Sequence, residues 1–173
     1  MPTTIRSALA VLVLSAAVAP SGASAADAAR SYSVNAAGAC NGALPSFEGA
    51  LRKRPLAIRN EGATSVFVTC SVPGDYLASG NGLVVAAFTN GSTSSVTVNC
   101  TMVDGRASPW GMFDEGDPEY YPQSKPIHPG GVAALTWTPT SGTFSAYANV
   151  NCLLPPDVEI NLVEVTYVEN VGA

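Results

Sequence analysis

The sequence predicts an all-β fold, an antiparallel two-sheet sandwich of the jelly-roll or immunoglobulin-like kind with about eight strands. Three observations carry this expectation. Beyond residue 25 apolar side chains recur with period two, the spacing of a half-buried strand, while helical periodicity is scarce. The dipeptide Asn90-Gly91 separates two such runs, as a tight turn would. Three of the four cysteines close an alternating run immediately before a turn, so the strands come as cross-linked units.

Taken in order, Ser31–Asn35 and Pro55–Asn60 read as short strands, with one helical turn over Phe47–Arg52 between them. Thr64–Val72 follows, with Val66, Val68, Cys70 and Val72 on one face. Leu83–Thr89 and Ser94–Val103 are expected to form a hairpin over Asn90-Gly91, because that pair tolerates positive φ. Val132–Thr138 and Thr143–Cys152 are expected to form a second hairpin over Pro139–Gly142. Val158–Val168 is the last strand, with a bulge near Glu164 where the alternation changes phase.

The amino terminus reads as an export signal. Met1–Arg6 carries positive charge, Ala8–Val18 is apolar but too short to span a bilayer, and Ala23-Ser24-Ala25 is a small-x-small cleavage pattern. Cleavage after Ala25 gives a signal peptide over residues 1–25 and a single disulfide-bonded domain over residues 26–173, secreted or periplasmic and with no membrane span. Losing Arg6 leaves seven basic against 13 acidic side chains in that domain, a net charge of −6 with histidine neutral. An acidic chain repels a phosphate backbone, so nucleic acid is not an expected partner despite the local cluster Arg52-Lys53-Arg54.

An even cysteine count in an exported chain reads as a disulfide framework, and the 30-residue minimum spacing is unlike the close pairs of a zinc site. Val66-x-Val68-x-Cys70, Val96-x-Val98-x-Cys100 and Ala148-x-Val150-x-Cys152 each end at a turn. If successive strands alternate in direction, these three run the same way and their cysteines gather at one end of the sandwich. The expected pairs are Cys40–Cys70 and Cys100–Cys152. At these strand ends, Val68-Thr69-Cys70, Val98-Asn99-Cys100-Thr101 and Asn151-Cys152-Leu153-Leu154-Pro155-Pro156, the chain resembles small exported bacterial β-sandwich proteins of uncharacterised function. The resemblance implies a fold and an envelope or secreted location, and no activity.

The chain offers few of the groupings that catalysis uses. Its one histidine, His128, lies between Ile127 and Pro129. No G-x-S-x-G elbow names a nucleophilic serine, and neither a P-loop nor a dinucleotide fingerprint is present. No cofactor and no metal ion is expected. Asp75, Asp104 and Asp157 near the cysteines could supply oxygen ligands to calcium, but aspartate also favours turns for its own backbone hydrogen bonds. Asp114, Glu115, Asp117 and Glu119 could supply a glycosidase pair, yet adjacent acids on one loop fix a separation poorly. Asn90-Gly91-Ser92 and Asn99-Cys100-Thr101 match a glycosylation sequon, the first in a turn and the second inside a strand.

What remains is the segment Asp104–Gly130, too long for an ordinary connection. It holds Trp110, Phe113, Tyr120 and Tyr121, which either form a contact surface for a protein or glycan partner or close over the core as a lid. The reading that follows is a non-catalytic binding or inhibitor-type module acting through a loop-rich end. A structural envelope or fimbria-like subunit is the first alternative and a hydrolase the second.

Overall fold

The computed structural model describes residues 26–72, 82–105, 118–139 and 148–171. The expected signal peptide, Trp110, Phe113, Asp75, Asp114, Glu115 and Asp117 lie outside them.

The chain runs through β1 (Ala26–Asn35), α1 (Ala36–Ala39), β2 (Cys40–Gly42), α2 (Pro45–Glu48), β3 (Leu51–Arg54), β4 (Ala57–Asn60) and β5 (Val66–Ser71). It continues through β6 (Leu83–Asn90), β7 (Val96–Asp104), β8 (Glu119–Ile127), β9 (Val132–Trp137), β10 (Asn149–Leu154) and β11 (Val158–Val171). These 11 strands form two antiparallel sheets. One has the order β3-β4-β11-β6-β9, with β1 paired to the distal part of β11, and the other has the order β2-β5-β10-β7-β8. The fold is the expected two-layer β architecture, with three more strands than the sequence reading allotted.

Two sheets form because each strand offers an apolar and a polar face, and the apolar faces exclude water only by meeting. In β6 the alternate residues Val84, Ala86, Phe88 and Asn90 are buried, and in β10 Val150, Cys152 and Leu154. The largest fully buried side chains are Trp137, Phe88, Ile58 and Met102. In β11 the register shifts between Ile160 and Leu162, which lets both Ile160 and Val163 face inward. The bulge therefore lies at Asn161, three residues before the expected place, where the buried run resumes on the odd-numbered residues.

Both expected hairpins are absent, because their strands lie in different sheets. β6 pairs with β11 and β9, whereas β7 pairs with β10 and β8. Likewise β9 and β10 belong to opposite layers. Period-two burial is the same in either sheet, so it cannot say whether neighbouring runs pair or face one another across the core. Gly91 is not one of the positive-φ residues, which among the described glycines are Gly105 and Gly130. It is needed for close approach instead: its N–H donates to the Asp157 carbonyl at 2.9 Å, and a Cβ there would lie 3.0 Å from that oxygen.

The crossovers are held by two buried asparagines. Asn60 donates through Nδ2 to the carbonyls of Thr64 and Leu154, and its Oδ1 accepts from the Gly62 N–H. Asn90 donates to the carbonyls of Ser94, Ile127 and His128, and its Oδ1 accepts from the N–H and hydroxyl of Ser92. Each side chain fixes a five-residue passage from the first sheet to the second and satisfies buried backbone carbonyls.

Cys40 is bonded to Cys70 and Cys100 to Cys152, each pair with Cα atoms 4.0 Å apart. Both bridges join directly opposed residues on adjacent strands, β2 with β5 and β7 with β10. The three cysteine-bearing strands do not all run one way: β10 lies between β5 and β7 and antiparallel to both. The cysteines therefore occupy adjacent rows on the inner face of one sheet and do not gather at an end. The turn after Cys152 leaves at the end opposite the segments after β5 and β7. The parity changes because residues 119–127, expected inside a loop, are strand β8.

Candidate functional site

A strand's outward residues are those between its core residues, so the sheet that carries the disulfides presents a second, solvent-facing set. Reading across by register, Asn41, Thr69, Asn151, Thr101 and Pro122 form one row over β2, β5, β10, β7 and β8. Phe67, Leu153, Asn99 and Ser124 form the next. The side chains of each row stand on one face, separated by the inter-strand spacing of about 4.8 Å.

A groove of about 520 Å³ runs over this face, lined by Phe67, Asn99, Cys100, Thr101, Pro122, Gln123, Ser124, Asn151 and Leu153. From β5 to β8 it crosses three strand spacings, about 14 Å. Its lining contains no Asp, Glu, Lys, Arg or His. Phe67 is a large hydrophobic residue left 49% exposed on this face. It is steadied from one side by Phe47 of α2, whose ring centroid is 6.3 Å away at a 45° tilt. Two hydrogen bonds hold that helix in place: the Ala43 N–H donates to the Phe67 carbonyl at 2.9 Å, and the side-chain Oε1 of Glu48 accepts from the Gly42 N–H at 2.6 Å. Thr69 Oγ1 donates to Asn151 Oδ1 at 2.6 Å, which fixes the amide in the groove.

Of the four aromatics singled out in the sequence, Trp110 and Phe113 lie outside the described residues. Tyr120 and Tyr121 are consecutive residues of β8 and so point to opposite faces. Tyr120 is 66% exposed, on the outward side two residues before Pro122. Tyr121 packs against the core, and its carbonyl accepts from Trp137 Nε1 at 2.8 Å, tying the edge of one sheet to the edge of the other. The structure thus separates two residues that the sequence reading placed together.

The groove residues carried a usable signal in the sequence. Phe67, Thr69, Asn99 and Asn151 fill outward positions of the alternating runs that end at Cys70, Cys100 and Cys152, and Thr101 and Leu153 directly follow the last two cysteines.

A second cleft of about 430 Å³ lies on the other sheet, lined by Arg54, Pro55, Leu56, Ala57, Arg59, Glu159 and Asn161. Both of its arginines are already engaged. Arg59 pairs with Asp157 at 2.7 Å, and that hydrogen bond raises the guanidinium pKa, holding the positive charge more firmly. Arg54 pairs with Glu61. The aspartates considered for calcium are not assembled: Asp104 ends β7 while Asp157 follows β10, at opposite ends of the sheet. Among the described residues no group of three or more His, Cys, Asp or Glu side chains is placed to hold a metal ion, and no helix is long and apolar enough to cross a membrane.

No family model matches the sequence, and no curated protein does. Among solved structures the chain is similar to a family 11 carbohydrate-binding module from Clostridium thermocellum in complex with a β-1,3-1,4-mixed-linked tetrasaccharide. That likeness has 10% identity and a TM-score of 0.33, over 92% of this chain and 94% of that one. It is also similar to TmCBM61 in complex with β-1,4-galactotriose, at 10% identity and a TM-score of 0.30, over 82% of this chain and 84% of that one.

Proposed function

We propose that this chain is an exported, non-catalytic binding module, a single domain over residues 26–173, whose ligand face is the outer surface of the β2-β5-β10-β7-β8 sheet. The observation that carries the reading is the groove lining. Amides, hydroxyls and an exposed aromatic converge on one rigid face with no ionisable side chain among them. Such a surface can orient and hold a ligand, but it offers no acid, base or charged nucleophile. Tyr120, one of the contact aromatics proposed from the sequence, lies at the margin of this face. The two disulfides support an oxidising compartment, where such bonds persist.

The test is affinity electrophoresis against a panel of soluble polysaccharides and peptides. Retention by at least one of them, lost about tenfold or more in Phe67→Ala and unchanged in Ala87→Arg on the opposite sheet, is the expected result. Equal loss in both variants, or none in Phe67→Ala, overturns the assignment of the face. Amino-terminal sequencing of the exported protein should begin at Ala26, and an intact Met1 would overturn the export reading.

A further inference from the structure

We propose that the ligand of this face is an uncharged glycan chain lying across the strands, with one sugar unit meeting each strand. The inference rests on the assignment of the binding face above and goes further by naming the ligand's chemistry. Asn99, Thr101, Ser124 and Asn151 each carry groups that can donate and accept hydrogen bonds. A sugar presents hydroxyls with the same double capacity, so the two surfaces can satisfy one another without a fixed protonation state on either side. An acidic ligand would call for guanidinium or ammonium donors, and none lines the groove. The chain's formal net charge of −5 further opposes the approach of a polyanion.

Direction follows from register. Polar side chains, Thr69, Asn151 and Thr101, repeat across the sheet from β5 to β7 at the inter-strand spacing of about 4.8 Å, close to the advance of one unit in an extended β-linked polysaccharide. A chain running across the strands therefore meets an equivalent polar group at every step. Phe67, with Phe47 behind it, supplies the flat apolar surface on which the C–H face of a sugar ring packs. An extended peptide, by contrast, gains its affinity from backbone hydrogen bonds at a sheet edge, and this surface is a face covered by side chains.

Uncharged and anionic polymers of the same backbone separate the possibilities: hydroxyethyl cellulose against carboxymethyl cellulose. Wild-type protein and Phe67→Ala are compared in low salt and in about 0.5 M salt, where Coulomb attraction is largely screened. The expected result is retention by an uncharged polymer that changes less than about twofold with salt and falls about tenfold or more in Phe67→Ala. Retention only by the anionic polymer, salt-sensitive and lost in Phe67→Ala, overturns the ligand class while leaving the face assignment standing. Retention by neither overturns the ligand class too, and a peptide retained in the panel above at the expense of Phe67 would then keep the face. Retention of an uncharged polymer that is indifferent to Phe67→Ala overturns both.

Discussion

Asn60 and Asn90 stand at equivalent corners of the sandwich, ten residues before Cys70 and Cys100. Each is fully buried, and each bonds the N–H two residues on and the carbonyl four residues on. Removing the Asn90 amide would take its donor from the Ser94, Ile127 and His128 carbonyls, of which Ser94 keeps the Ser92 hydroxyl and His128 the Gly131 N–H, and a buried polar group that loses its partner costs more than a lost surface bond. Asn90→Ala should therefore destabilise by about 2–4 kcal/mol in urea unfolding, whereas Asn99→Ala on the exposed face should stay within about 0.5 kcal/mol. The shared Asn-to-Cys spacing was present in the sequence. What the spacing could not show is that the turn changes sheets, since an asparagine suits a hairpin as well as a corner. The two tyrosines of β8 make a second residue-scale contrast. Tyr121→Ala should cost about 2 kcal/mol or more of stability, because it removes core packing, and Tyr120→Ala should cost about 0.5 kcal/mol or less. Thermal unfolding of the pair checks the alternation directly.

β8 is the element on which the sequence reading of the topology turned. Pro122 and Pro126 lie within it, and proline in a run argues against a central strand. Here the strand is at a sheet edge, and both prolines fall at alternate positions whose missing N–H would point away from β7. The same prolines that hide the strand also blunt its edge against pairing with another chain. Counting β8 reverses the direction of β10, and the Cys100–Cys152 bridge becomes a cross-strand link inside one sheet. The pairing of the cysteines was read from their place at expected strand ends, but the end-pinning geometry failed, because it depended on an odd count of intervening strands and β8 makes the count between β7 and β10 even. The two bridges differ in what they hold. β2 pairs with β5 over three residues only, so Cys40–Cys70 anchors an element with little else to fix it. Replacing both of those cysteines by alanine should lower stability by about 2–4 kcal/mol and bring fast hydrogen exchange at residues 40–42. Replacing Cys100 and Cys152 should cost a similar amount while β7 and β10 keep slow exchange, held by their neighbours on both sides.

At the scale of the molecule, the buried half of each strand pattern was read from sequence and the exposed half was not. Val66, Val68 and Cys70 announce a core face by hydrophobicity, and the intervening Phe67 and Thr69 acquire meaning only when strands distant in sequence bring Asn99, Thr101, Asn151 and Leu153 beside them. Aromatic density drew attention to residues 110–121, because a cluster along the chain is visible in a sequence whereas a row across a sheet is not. Tyr120 belongs to both descriptions. Ligand binding on the outward face of the β2-β5-β10-β7-β8 sheet can be tested by amide chemical-shift mapping of the labelled protein with short oligosaccharides from the uncharged glycan. Shifts concentrated at Phe67, Asn99, Thr101, Asn151 and Leu153 are the expected result. Shifts concentrated instead on Val85, Ala87 and Ala134 of the opposite sheet, or on residues 106–117 alone, would contradict it.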